Sequence, residues 1–188
     1  MEERRRAKEE YVIVLDFLKH GYSADSRSFH RREPIVQAIG KDHFVLLELV
    51  PQSDIDLKPH DEVYIGEGER KEIAYIKGVL GPERLTQTAK NELPFIVEKL
   101  VETKEEKFIE FFNKCGAVSL RAHQLELLPG VGKKHTSEIL KTREKESFTS
   151  FEDIKKRVKS VPNPKKLIID RILKELDDGD RYKLFAGV

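Results

Sequence analysis

Hydrophobic and polar positions divide the chain into two patterns that meet near residue 82. Before that point, five short runs rich in β-branched or aromatic residues follow one another: Tyr11 to Leu15, Pro34 to Ile39, Phe44 to Val50, Glu62 to Ile65 and Ile73 to Leu80. Runs of this kind predict strands. Gly40-Lys41-Asp42 and Gly66-Glu67-Gly68 supply turn chemistry between them. Lys58-Pro59-His60-Asp61-Glu62-Val63 reads as a turn feeding a barrel strand, and five short strands predict a small OB-like β-barrel over residues 1–82.

After Gly81-Pro82 the apolar period moves toward 3.6 residues, which predicts helices. Helical spacing runs from Arg84 to Asn91. Pro94 is placed at the start of a helix over Leu93 to Val101, because proline suits a first helical position. Thr103-Lys104-Glu105-Glu106 reads as a capping box, opening a helix that turns Phe108, Ile109, Phe111 and Phe112 inward and ends at Gly116. Phe111 and Phe112 resemble a stacking platform, but aromatics at helical spacing are read as core. Residues 83–118 form a helical linker in this reading, and residues 119–188 an all-α domain with a C-terminal tail. The predicted fold class is α+β.

The chemistry concentrates in that last segment. His123 to Leu128 is predicted as a short helix, Pro129-Gly130-Val131-Gly132 as a tight hairpin, and Lys133 to Arg143 as a second helix with Ile139 and Leu140 on its buried side. The glycines allow backbone angles closed to other residues and let a phosphate approach without meeting a Cβ, while Val131 pins the turn between the helices. N–H groups at the start of the second helix, its dipole, and the Lys133 and Lys134 ammonium groups all favour an anion there. The alternative is a helix–turn–helix corner in which the glycines only cap and turn.

Written without gaps at an offset of 33, Leu128-Pro129-Gly130-Val131-Gly132-Lys133-Lys134 meets Val161-Pro162-Asn163-Pro164-Lys165-Lys166-Leu167, and Ile139-Leu140 meets Ile172-Leu173. This suggests a duplicated hairpin. In that register Pro164 replaces Val131 and Lys165 replaces Gly132, so close phosphate approach is blocked. The second hairpin is then mainly structural, with Lys165 and Lys166 as peripheral contacts. Ser147 to Ile154 reads as a linker entering a capped helix.

Composition narrows the function classes. A net charge of +1 names no partner, but residues 121–188 carry 16 Lys/Arg against 11 Asp/Glu, whereas residues 1–120 carry 19 against 23. The basic excess lies with the hairpin, which favours a polyanion there. Abundant Lys and Glu beside one Met, one Cys and no Trp fit a hyperthermophile bias. Cys115 stands alone, so no intrachain disulfide is expected and a cytoplasmic location is the default. No run is long and apolar enough to serve as signal or membrane span, so no membrane partner is expected.

At these residues the sequence resembles paired helix-hairpin-helix domains of DNA repair, competence and Holliday-junction-binding proteins, over residues 119–176 and most specifically in Leu128 to Lys134. A related hairpin occurs in a small-subunit ribosomal protein. The resemblance implies phosphate binding by the hairpin amides of Gly130, Val131 and Gly132, in some relatives with a monovalent cation on the hairpin carbonyls. His135 and Thr136 depart from the usual Thr-Ala. Over nearly its full length the chain also resembles an archaeal family of unknown function, domain of unknown function 655, described as RNA-binding by prediction. Tyr11 to Asp16, Glu92-Leu93-Pro94, Phe111-Phe112-Asn113, His123 to Lys134 and Gly179 to Lys183 carry that resemblance.

Other candidates are weaker. Arg27-Ser28-Phe29-His30-Arg31-Arg32 could stack a base on Phe29 and hold its phosphate with Arg27, Arg31 and Arg32, or it could be a solvated loop. Arg181-Tyr182-Lys183 is read as packing back on the barrel. His20, His30, His43, His60, His123 and His135 have no zinc spacing, so neither a metal nor a cofactor is expected. Asp177-Asp178-Gly179-Asp180 reads as a solvated acidic run. The sequence therefore predicts a non-enzymatic nucleic-acid-binding protein, RNA before DNA, with a duplex- or junction-binding repair factor and a ribosome-docking protein as the alternatives.

Overall fold

The structure is a computed structural model and describes residues 8–23, 32–177 and 182–187. Its elements confirm the α+β class. All five predicted strands form: β1 Tyr11–Leu18, β2 Ile35–Gly40, β3 Leu46–Pro51, β4 Glu62–Tyr64 and β5 Ile73–Val79. Every neighbouring pair is antiparallel, in the order β4-β1-β2-β3-β5. β4 and β5 are therefore the edges, and among the described residues no ladder joins them. The sheet stays open on that side.

Alternation decides what each face holds. Val12, Val14, Val36, Ala38, Leu47, Leu49, Val63 and Ile73 turn to one face and, with Leu57 and Ile65 from flanking loops, make one apolar core. A bulge between Val14 and Asp16 pairs Asp16 with Gln37 and puts both on the opposite face. That face also buries Ile35, Ile39, Leu46 and Val50, and a polar network sits among them. Glu48 is buried, and one carboxylate oxygen accepts the Tyr22 hydroxyl at 2.9 Å and the Arg84 guanidinium at 2.7 Å. Lys77 Nζ faces the other oxygen at 3.1 Å as an ion pair without hydrogen-bond geometry. Gln37 donates to the Tyr22 hydroxyl and to the Arg84 carbonyl, and accepts the Thr86 N–H at 2.9 Å.

Thr86 in turn fixes the helix that follows. Its hydroxyl donates to Asp16 at 2.6 Å and accepts the Ala89 N–H, which makes Thr86 the N-cap of α1, Gln87–Thr103. This corrects two readings. Pro94 lies inside α1 and does not begin a helix, because Ala89, Leu93, Ile96, Val97 and Leu100 keep one buried stripe across it. Thr103 ends α1, so the expected capping box is absent; its hydroxyl bonds back to the Lys99 carbonyl. The next helix, α2 Glu105–Lys114, has Lys104 at its N-cap position without a side-chain bond.

The chain divides into two compact units, residues 1–96 with 175–188, and residues 97–174. The C-terminal tail falls in the unit that holds the sheet, where Arg181-Tyr182-Lys183 is read as packing, although the domain boundary drawn from the sequence grouped it with residues 119–188. Glu175 is fully buried and accepts the N–H groups of Leu184, Phe185 and Ala186 at 2.7, 2.9 and 2.9 Å, and the Gly187 N–H reaches the His43 carbonyl. Tyr182 and Lys183 lie in this docked segment, whereas Arg181, Gly179 and Asp180 lie outside the described residues.

The second unit is helical apart from the short ladder β6 Ala117–Ser119 with β7 Ala122–His123. After α2 come a 3-10 helix over Gln124–Leu127, α3 Lys133–Lys145, α4 Phe151–Arg157 and α5 Pro164–Leu176. Phe108, Ile109 and Phe112 are buried as expected, and Phe111 is partly exposed. Ser150 caps α4 by accepting the Asp153 N–H at 3.0 Å, as the sequence predicts. Asn113 holds both backbone groups of Phe148, and the Arg157 guanidinium lies 4.8 Å from the Phe148 ring centroid.

Candidate nucleic-acid interface

Local forces build the turn between the 3-10 helix and α3. His123 opens the 3-10 helix by accepting the Leu125 N–H on Nδ1 at 3.1 Å, and Leu125 is buried. The Leu128 carbonyl then accepts the Val131 N–H at 3.1 Å, which closes the turn, and Val131 is buried as expected of a pin. Gly130 has φ +82°, a region that costs a side-chain-bearing residue about 1 kcal/mol or more. A Cβ built on Gly130 or Gly132 would meet nothing within 4 Å. Both glycines therefore present open backbone.

The amides are distributed differently from the resemblance. The Val131 N–H is spent on the turn, and the Gly132 N–H donates to His135 Nδ1 at 3.3 Å. The first intrahelical bond is Thr136 N–H to the Gly132 carbonyl at 3.0 Å, so the N–H groups of Lys133, Lys134 and His135 have no intrahelical acceptor. These three are the unpartnered N–H groups of the first turn of α3. Lys133 and Lys134 are exposed and make no hydrogen bond or ion pair among the described residues. His135 is the contact that sequence reasoning missed. Its position three residues after the Gly132 cap was the available signal.

Behind the turn, Arg171 on α5 is fully buried and donates to the Leu127 carbonyl at 3.0 Å. Arg143 on α3 donates to the Phe112 carbonyl at 2.9 Å and the Cys115 carbonyl at 3.0 Å, closing the end of α2. Burial pushes the Cys115 thiol up, against the nearby Arg143 charge. Burial, helped by Arg143, holds His123 below the ordinary histidine value, while Glu126 opposes.

A depressed histidine pKa means that the folded chain binds this proton less readily than the unfolded chain. The contribution to stability is present above the unfolded value and is lost as pH falls through it toward the folded one. Thermal midpoints should accordingly drop between about pH 7.5 and pH 5.5. His123→Asn keeps an acceptor for the Leu125 N–H but does not titrate, so its midpoint should drop less; an identical slope would remove His123 from the account.

The second turn uses another register than the gapless comparison. Val161 N–H bonds the Val158 carbonyl at 3.2 Å as Val131 bonds Leu128, and Val161 is equally buried. Val161 is therefore the counterpart of Val131, and Asn163 the counterpart of the Gly132 cap. Pro164 simply begins α5. The surroundings of this turn differ from those of the first. Asn163 Oδ1 faces the Lys166 N–H, and Glu102, Glu105 and Glu152 line the adjoining recess. Lys165 and Lys166, read from the sequence as peripheral contacts, are each paired with carboxylates: Lys165 with Glu98 at 3.2 Å and Glu102 at 2.7 Å, and Lys166 with Asp170 at 2.7 Å.

Arg27, Phe29 and Arg31 lie outside the described residues. Arg32 is described, and its guanidinium reaches the Tyr22 carbonyl at 3.5 Å. By unit, residues 97–174 carry 18 Lys/Arg against 12 Asp/Glu, or +6, and the remainder carry 17 against 22, or −5. The division is sharper than the sequence split at residue 120.

Residues 8–187 match the model of a family described as protein of unknown function, DUF655. The chain belongs to this family. It is 40% identical over 180 residues to the uncharacterized protein MJ0038 of Methanocaldococcus jannaschii, covering 95% of this chain and 80% of that one. A crystal structure of the DUF655 protein Af1531 from Archaeoglobus fulgidus is 46% identical, with a TM-score of 0.86 over 94% of this chain and 99% of the other. Among the described residues of this DUF655 chain, no helix is long and apolar enough to cross a membrane, and no group of three or more His, Cys, Asp or Glu residues could hold a metal ion.

Proposed function

We propose that this protein binds a nucleic-acid backbone without catalysis, through the first turn of α3. The observation that carries the reading is the coincidence of three unpaired amides, two unpaired lysines and open backbone at Gly130 and Gly132, in the unit that holds a charge of +6. Such a site contacts phosphate and not base edges, so binding is independent of sequence. In this reading the two turns are a paired helix-hairpin-helix, with only the first engaging phosphate. The sheet is the OB-like half, and RNA is the first ligand to test.

The sheet unit supports the reading less than its architecture suggests. OB-like sheets take single strands on positively charged faces, whereas this unit carries −5. Affinity is therefore expected to come from the helical unit. In a salt titration of the full chain with mixed-sequence RNA, about three phosphate contacts predict a slope near −2 in log K against log salt, or about a twenty-fold loss between about 50 and 200 mM. A salt-independent affinity, or none, overturns the proposal. Binding to RNA and DNA duplexes in the same series separates a junction- or duplex-binding role, and cosedimentation with ribosomal particles without free RNA binding would favour the docking alternative.

A further inference from the structure

Beyond its first turn, α3 carries lysines that the turn itself does not require. Lys134, Glu138, Lys141 and Lys145 are spaced i, i+4, i+7 and i+11, which places them on one face of the helix. All three lysines are exposed and make no hydrogen bond or ion pair among the described residues. Elsewhere in the same unit Lys114, Lys165 and Lys166 are each paired with a carboxylate. Unpaired like charges along a helix cost stability.

The carboxylate in the row is already engaged. Glu138 accepts the hydroxyl of Ser160, which brings the second turn, with exposed Lys159 next to Ser160, against the middle of this face. The Arg157 guanidinium donates to the carbonyls of Thr142 at 3.1 Å and Glu146 at 2.6 Å, fixing the end of α4 against the last turn of α3. The lysines are thus held on a backed, ordered face. Nothing on α4 neutralises them.

We infer that one strand of nucleic acid lies along α3, from the amides of its first turn to Lys145, and does not merely touch the helix at its start. This rests on the backbone-binding reading above and adds the path of the strand. From Lys134 to Lys145 the rise is about 16 Å, room for about three phosphates of an extended strand. Charge complementarity selects the occupant: a single polyanionic backbone meets three cations in line, and the Ser160 bond restrains the intervening carboxylate.

The test uses the full chain and oligouridylates of increasing length, with three variants compared in salt titrations. Lys141→Glu combined with Lys145→Glu should weaken binding at least ten-fold and make the salt slope shallower by about 1.4, two contacts at about 0.7 each. Glu138→Gln should raise affinity, and in the wild type affinity should keep rising beyond two nucleotides. Lys145 lies in the last turn of α3, where glutamate meets the negative end of the helix dipole, so the thermal midpoint should drop slightly while the protein stays folded at the assay temperature. If Lys141→Glu/Lys145→Glu leaves affinity and slope unchanged while Lys133→Glu/Lys134→Glu abolishes binding, the path is wrong and the turn stands alone. If neither pair changes binding, the phosphate reading falls and the path with it.

Discussion

Glu48→Ala is expected to lower the stability of the protein by about 3 kcal/mol. Glu48 is buried in β3 between Leu47 and Leu49, and its carboxylate joins Tyr22, Arg84 and Lys77. Removing it leaves Arg84 without its carboxylate partner and the Tyr22 hydroxyl without its acceptor, while Lys77 keeps only the longer contact to Glu33 at 3.6 Å. Arg84 and Lys77 are 51% and 38% exposed, so water recovers part of the loss and keeps the estimate below that for a fully buried triad. Burial pushes the Tyr22 phenol up, Glu48 adds to that, and Gln37 and Arg84 oppose it. Tyr22 therefore stays a neutral donor at physiological pH. Glu48→Gln retains an acceptor oxygen and should cost less than Glu48→Ala. Urea denaturation of both variants checks this; a loss under about 1 kcal/mol for Glu48→Ala would mean that the network does not hold α1 to the sheet.

That network shows where sequence reasoning stopped. The five strands were legible because each is a short run rich in β-branched or aromatic residues, and backbone sterics act within a few positions. The register was not legible, nor was the bulge that swings Asp16 onto the face of Gln37. The signal at Glu48 was a carboxylate among leucines in a strand. Reading it required Arg84, which is distant in sequence and meets it only once Gln37 and Thr86 have fixed the start of α1. Pro94 misled for a related reason: proline favours a first turn locally, but a capped start at Thr86 and a continuous buried stripe outweigh one lost backbone bond.

The site was legible as residues and less so as geometry. Gly130, Val131, Gly132, Lys133 and Lys134 do come together in one tight turn. Which of their amides is free depends on hydrogen bonds inside the turn, and these follow from the buried valine and the His135 ring. The gapless repeat failed for the same reason. Valine burial and the turn bond, not residue count, align Val131 with Val161, and the extra residue between Val161 and its helix cap has no sequence marker beyond Pro162.

Lys133→Glu combined with Lys134→Glu is expected to reduce nucleic-acid affinity about 100-fold at low salt, to abolish measurable binding near physiological salt, and to leave the fold intact. The separation of binding from folding is what gives the experiment its force. Neither lysine makes a hydrogen bond or ion pair among the described residues, so reversal removes no polar partner. The first turn of α3 contains no acidic residue, and glutamate there meets the positive end of the helix dipole. The variant should consequently melt slightly higher than the wild type, by the few tenths of a kcal/mol that a helix-dipole contact supplies at an exposed position. A stabilised protein that has lost its ligand locates the phosphate at the Lys133, Lys134 and His135 amides. A stabilised protein that binds unchanged places the ligand elsewhere, and a destabilised one would mean that the ammonium groups carry internal contacts which this structure does not contain.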